Sequence, residues 1–189
     1  MRVIAGKYRS RRLESLSGLD VRPTADRLRE TLFDVLTAGN PAALEGTVWV
    51  DLYAGTGAVG IEALSRGAAM VYFIDASAPA SELVRKNLHS LGVEAGFQVL
   101  QQDAVRAVHT LAATGVQADF VFLDPPYRME EAYSQALTAL SGSDLLKPGG
   151  LAIAEHRKKF DPGEVSGSLR RYRLLQQGDA ALRFYRSGL

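Results

Sequence analysis

Three glycines, Gly55, Gly57 and Gly60, follow directly on the apolar run Val48-Trp49-Val50-Asp51-Leu52 and open an apolar helical stretch over about 58–66. A strand that turns on glycines into a helix must be followed by a parallel strand, because the helix carries the chain back along the sheet. Met70 to Ile74, ending at Asp75, supplies that strand. A helix from about Pro79 to Leu91 comes next, with Leu83, Val84, Leu88 and Leu91 at helical spacing and Gly92 as its stop. Phe97 to Gln101, Asp119 to Leu123 and Gly150 to Ala154 are three further buried-type strands separated by helical segments. Arg171 to Gln177 and Ala180 to Arg186, joined by Gly178-Asp179, read as a terminal hairpin. The expectation is an α/β fold: a mostly parallel sheet of seven strands, covered on both faces and ending in an antiparallel hairpin.

Ahead of this core lies a different segment. Arg2 to Leu13 is strand-like and basic, with Lys7, Arg9 and Arg11 at period two and so expected on one face. Thr24 to Leu36 reads as a helix with Leu28, Leu32, Val35 and Leu36 as its apolar stripe, and Pro23 at or just before its start. Residues 1–38 are therefore expected to form a basic hairpin and helix appended to a domain over 39–189. The net charge of +1 conceals a partition: residues 1–29 carry +5, residues 157–189 carry +5, and the stretch between carries −9. Basic ends around an acidic centre fit a polyanion partner, or equally the guarding of exposed sheet edges.

The chemistry concentrates at strand ends. Gly55, Gly57 and Gly60 match G-x-G-x-x-G, and Asp75 follows Gly55 by 20 residues, which alone would suggest a dinucleotide site with Asp75 on a ribose diol. Asp51 argues otherwise, since a carboxylate beside the turn repels a pyrophosphate and attracts an ammonium group. S-adenosylmethionine has an ammonium, a sulfonium and no phosphate. Asp103 ends the third strand, where it could accept from an adenine amino group, cap the helix starting at Ala104, or do both. The fourth strand runs into Asp124-Pro125-Pro126-Tyr127. Its two prolines offer no N–H, so the loop presents acceptors alone: the Asp124 carboxylate and the Pro125 carbonyl suit an exocyclic amino group that must gain positive charge. Tyr127 could stack on a base swung out of its surroundings. There is no cysteine, which excludes disulfides, thiolate metal sites and a cysteine nucleophile, and the three histidines are too scattered for a metal cluster. No window approaches the length of apolar chain a membrane helix needs, and the N-terminus does not read as a signal peptide. The expectation is a cytoplasmic monomer, with no membrane partner and no metal.

The chain resembles the bacterial RsmD family, which methylates N2 of guanine 966 in small-subunit ribosomal RNA with S-adenosylmethionine. The resemblance is carried by Arg2-Val3-Ile4-Ala5-Gly6-Lys7, by Arg22-Pro23-Thr24-Ala25-Asp26-Arg27-Leu28-Arg29-Glu30, by Asp51 to Gly60, by Glu62-Ala63-Leu64-Ser65-Arg66-Gly67-Ala68, and by Asp124 to Tyr127. Tyr53 stands where the family usually has Phe, and Ser10 where it commonly has Gly. The resemblance implies a Rossmann-like methyltransferase fold, with Asp51, Gly55 and Gly57 around the methionine part of the cofactor. It implies Asp75 on the ribose, Asp103 with Ala104 near the adenine, and Tyr53 and Ala76 in the same cofactor set. Asp124, Pro125 and Tyr127 would act at the target base. Lys7, Arg9, Arg11, Arg12, Arg22 and Arg27 would contact the RNA, within an assembled or assembling small subunit.

Competing readings remain distinguishable. A DNA adenine-N6 or cytosine-N4 amino-methyltransferase would share the Asp124 loop but usually carries a separate sequence-reading domain. An NAD-dependent oxidoreductase would use the glycines but leave Asp51 and the Asp124 loop without a task. A catalytically silent RNA-binding scaffold would not need Asp51, Asp75 and Asp124 together.

Overall fold

The computed structural model describes residues 1–15 and 23–187. Among these, five helices (α1 Pro23–Thr37, α2 Ala58–Ser65, α3 Ala78–Ser90, α4 Ala104–Ala113, α5 Glu130–Ser141) alternate with the first five strands. The strands are β1 Val48–Leu52, β2 Met70–Asp75, β3 Phe97–Gln101, β4 Ala118–Leu123, β5 Leu146–Arg157, β6 Val165–Ser166, β7 Leu169–Gln177 and β8 Ala180–Ser187. They form one sheet in the order β3-β2-β1-β4-β5-β8-β7-β6. The first five are parallel and the last three join antiparallel. The sheet has eight strands rather than the expected seven, because β6 pairs with the start of β7. Two residues carry no readable period, so β6 leaves no trace in the sequence.

Alternation along the strands explains the layers. Trp49, Phe73, Phe122, Ile153 and Phe184 point to one face, where Leu28, Leu32 and Phe33 of α1, Ile61 of α2, and Val84 and Leu88 of α3 bury them. Phe33 stacks on Trp49 with ring centroids 5.5 Å apart. Val50, Leu52, Ile74, Val121 and Leu123 point to the other face, against Val108 and Leu111 of α4 and Leu137 and Leu140 of α5. Burial on both faces is why these strands read as unbroken apolar runs. Strand order reverses direction between β1 and β4, and ligands of open α/β sheets bind outside the carboxyl ends at such a point.

The N-terminal segment departs from its strand reading. Arg2 and Arg12 form an antiparallel bridge, but residues 5–10 are turns and bends, so Lys7, Arg9 and Arg11 do not alternate across a strand. The alternating basic residues imitate a period that the turn overrides. All three, with Arg12, are nevertheless exposed. The hairpin is pinned by a buried acid: Glu62 of α2 accepts from the backbone N–H groups of Ile4 (2.8 Å) and Ala5 (2.9 Å) and from Arg66 Nε (2.8 Å). Ser65 adds a bond from Tyr8 N (2.9 Å), and its carbonyl takes Lys7 N (2.7 Å). Gly6 passes so close that a Cβ there would sit 1.8 Å from the Ser65 carbonyl oxygen. Farther along, Asn87 of α3 accepts from Glu14 N and donates to the Glu14 carbonyl. Val3 and Leu13 enter the same core cluster as Leu28 and Trp49. Among the described residues no helix is long and apolar enough to cross a membrane.

Candidate active site

β1 and β4 end side by side, with Leu52 opposite Leu123 and Asp124 N reaching the Leu52 carbonyl at 3.4 Å. A cavity of about 210 Å³ opens there, and among its lining residues are Asp51, Tyr53, Gly55, Asp124, Glu155 and Arg29. Two residues singled out for opposite ends of a methyl transfer, Asp51 and Asp124, thus meet in one space.

Asp51 is 2% exposed and accepts from Gly60 N at 3.0 Å. Burial pushes its carboxyl up to about 8, against the Gly60 bond and assisted by the nearby Asp124 and Asp75 charges. The half-buried Asp124 is raised to about 7 by desolvation. Glu155, near the end of β5, is pushed well above the usual carboxylate range by burial and then by Asp124, while Arg29 pulls it down. The cavity therefore gathers three carboxyl groups whose ionisation burial disfavours.

Arg29, on α1, is the cation facing them. It is 5% exposed, and its Nη2 donates to the Arg2 carbonyl at 2.6 Å and to Asp26 at 3.1 Å. Its Nε stands 4.0 Å from Glu62 and has no hydrogen-bond partner among the described residues.

The glycine turn is built as its sequence suggests. Gly55 and Gly57 have φ of 55° and 78°, which L side chains seldom adopt, and a Cβ on Gly60 would lie 2.4 Å from the Phe73 ring. Asp75 does not line the cavity but shapes it: its two carboxylate oxygens accept from Gly55 N (2.9 Å) and Ser77 N (2.8 Å). A carboxylate has about four acceptor positions, so capacity for a diol remains. Ala76 is exposed beside it. Asp103 caps α4, accepting from Arg106 N at 3.1 Å, with Ala104 buried behind it. Its charge still reaches Tyr53, whose hydroxyl is raised to about 12 by burial first and Asp103 second.

Tyr53 and Ser10 are the two non-glycine residues with positive φ, 65° and 67°, among the described residues. The resemblance to the RsmD family would put Phe at the first of these positions and Gly at the second. For Ser10 the usual glycine is explained by the left-handed backbone.

In the Asp124 loop, Pro125 is buried and the Pro126 carbonyl is taken by Met129 N at 2.7 Å. Tyr127 is half-buried, with the Arg157 guanidinium 4.9 Å over its ring. Arg27 is exposed on α1, whereas Arg22 lies outside the described residues. Sequence reasoning did not single out Arg29, Glu62 or Glu155 as site residues. Glu155 sits between Ala154 and His156 with no spacing signal, and only its register beside Asp124 reveals it.

Residues 1–186 match the family model described as "Conserved hypothetical protein 95". Ribosomal RNA small subunit methyltransferase D of Escherichia coli K12 is 32% identical over 186 residues, covering 98% of this chain and 89% of that protein. The protein of the same name in Haemophilus influenzae is 34% identical over 159 residues, covering 84% and 79%. The solved structure of a hypothetical protein from Thermus thermophilus superposes with a TM-score of 0.82 at 26% identity, covering 98% of this chain and 99% of that one. With its parallel sheet, its crevice at the β1–β4 ends and matching relatives over almost the whole chain, the protein belongs to the RsmD family of methyltransferases.

Proposed function

We propose that the protein transfers a methyl group from S-adenosylmethionine to the exocyclic N2 amino group of a guanine in small-subunit (16S) ribosomal RNA. The observation that carries the reading is the convergence of Asp51 and Asp124 on one cavity at the β1–β4 switch point. The donor set fits the cofactor. Asp51, a carboxyl raised by burial beside the glycine turn, favours a ligand that brings positive charge there, which S-adenosylmethionine does and a dinucleotide pyrophosphate does not. That distinction also counts against the oxidoreductase reading.

When bound, the cofactor supplies a methyl group activated on a sulfonium. Asp51 then holds the ammonium group, the bare backbone at Gly55 allows close approach while Gly57 holds the turn against Val84 and Ile61, and Asp75 with Ala76 borders the ribose. Asp103 and Ala104, beside Tyr53, border the adenine. The Asp124 carboxylate and the Pro125 carbonyl accept the two amino N–H bonds of the base, localising the nitrogen lone pair. A carboxyl raised to about 7 is also basic enough to receive the proton that the nitrogen sheds once methylated. Tyr127 offers its ring to the base, and Lys7, Arg9, Arg11, Arg12, Arg22 and Arg27 hold RNA phosphates. The setting is the cytoplasm, the acting unit a monomer, and residues 1–38 the RNA-contacting appendage to the domain over 39–189.

The test is incubation with labelled cofactor and small ribosomal subunits from a strain lacking the enzyme, followed by nucleoside analysis. N2-methylguanosine is the expected product. Asp124→Ala should keep cofactor affinity and lose most of the transfer rate; label in N6-methyladenosine or N4-methylcytosine, or a wild-type rate in the variant, overturns the reading.

A further inference from the structure

We propose that Glu155 selects the base, accepting the ring N1–H of guanine while Asp124 accepts from the adjoining amino group. This rests on the methyl-transfer reading above and adds the residue that discriminates among bases. β4 and β5 run parallel with Leu123 opposite Ala154, so the next residues, Asp124 and Glu155, stand side by side where β4 ends. Leu123 and Ala154 pack toward α4 and α5, while Phe122 and Ile153 pack toward α1 and α2. By alternation Asp124 and Glu155 share the α1–α2 side, where both line the cavity.

Asp124 has a task in the transfer. Glu155 has none so far, and its position is costly. Its backbone carbonyl takes the Tyr133 hydroxyl at 2.8 Å, but among the described residues nothing donates to its carboxylate. Arg29 pulls on it from across the cavity without coming within the 4.0 Å of an ion pair. A half-buried carboxyl without donors is unfavourable unless an entering group supplies one.

The chemistry of the bases says which. Guanine alone carries its amino group beside a ring N–H, so that edge presents donors in a row. Adenine and cytosine place a lone-pair nitrogen beside the amino group, and a carboxylate opposite that lone pair is repelled. Two neighbouring acceptors therefore fit guanine and reject both alternatives. Donation from N1–H also favours the ionised form of Glu155, which its surroundings otherwise resist.

The experiment uses small subunits reconstituted with a synthetic RNA segment carrying either guanine or 2-aminopurine at the target position. 2-Aminopurine keeps the amino group and replaces the N1–H by a lone pair. Wild-type enzyme should prefer guanine in kcat/KM by at least about tenfold. Glu155→Gln, whose amide can turn an N–H toward that lone pair, should gain activity on 2-aminopurine and lose it on guanine. Glu155→Ala should lose on guanine with no gain on 2-aminopurine, and calorimetry should show cofactor affinity within about twofold of wild type for both folded variants. An unchanged preference in both variants would assign Glu155 to packing against Arg29. Lost cofactor affinity with unchanged preference would assign it to the cofactor; either result overturns the proposal alone. No methylation of the guanine particle by wild type would overturn the RNA reading itself.

Discussion

Replacing Asp51 by Asn should make the ligand-free protein more stable and a poorer binder. The carboxyl is 2% exposed, with Gly60 N as its hydrogen-bond donor among the described residues. Its value in the unfolded chain is near 3.8, and burial raises it to about 8 in the fold. Between those values the folded state holds a proton that the unfolded state releases, so stability falls as pH rises, by up to ~1.36 kcal/mol per unit. From pH 5 to pH 7 this one group costs the wild type about 2–3 kcal/mol. Asn keeps an oxygen for Gly60 N and has no charge to desolvate, so the variant lacks that slope. Asp124 and Glu155 titrate in both proteins, so the difference between them reports Asp51 together with its smaller interaction with Asp124. For a chain of this size the gap in melting temperature should widen by about 5–10 °C across the window. Melts of both proteins at pH 5 and pH 7 without ligand provide the measurement, and calorimetry with S-adenosylmethionine should show weaker binding by the variant. If both proteins lose the same number of degrees, Asp51 is ionised in the fold and the argument from burial fails.

Other changes have equally defined outcomes. Ser10→Gly relieves a left-handed serine at φ 67° and should stabilise the protein by about 1 kcal/mol, seen as a melting temperature a few degrees higher; an unchanged or lower value contradicts the strain. Asp75→Ala removes the acceptor for Gly55 N and Ser77 N along with the proposed ribose contact, and calorimetry should find cofactor affinity lower by at least about 1.5 kcal/mol. Reversing Lys7, Arg9 and Arg11 to Glu should abolish methylation of the ribosomal particle, flatten the salt dependence of RNA binding and leave cofactor affinity intact. Normal binding with an unchanged salt slope would reduce the hairpin to a guard of the sheet's surroundings.

The parallel core was legible because burial on both faces leaves only apolar residues along Val48–Leu52 and Ala118–Leu123, apart from the acids Asp51 and Asp119, and glycines mark where the first strand must turn. Asp51, Asp75 and Asp124 were legible because each interrupts or ends such a run. Glu155 was not: it too follows an apolar run, Gly150 to Ala154, but β5 runs on through Arg157 and no glycine turn or proline pair follows the acid to mark a site. Arg29 was hidden differently. On a half-exposed helix that also carries Asp26, Arg27, Glu30 and Asp34 it looks like one more solvated charge, and only the docking of α1 over the crevice buries it. The hairpin's turn was misread because alternating Lys and Arg imitate a strand when no apolar residues compete.

Glu62 ties the order of folding to the shape of the crevice. Ile4 and Ala5 are synthesised early, yet their acceptor lies 58 and 57 positions downstream on α2. Closing loops of that span is slow to be rewarded, so the hairpin has no buried partner until the glycine turn and its helix exist. Conversely, until the hairpin docks, Glu62 lacks two of the donors it has in the fold. The two elements must consolidate together, and the wall that Met1 and Ser15 contribute to the cavity is in place only when both have done so.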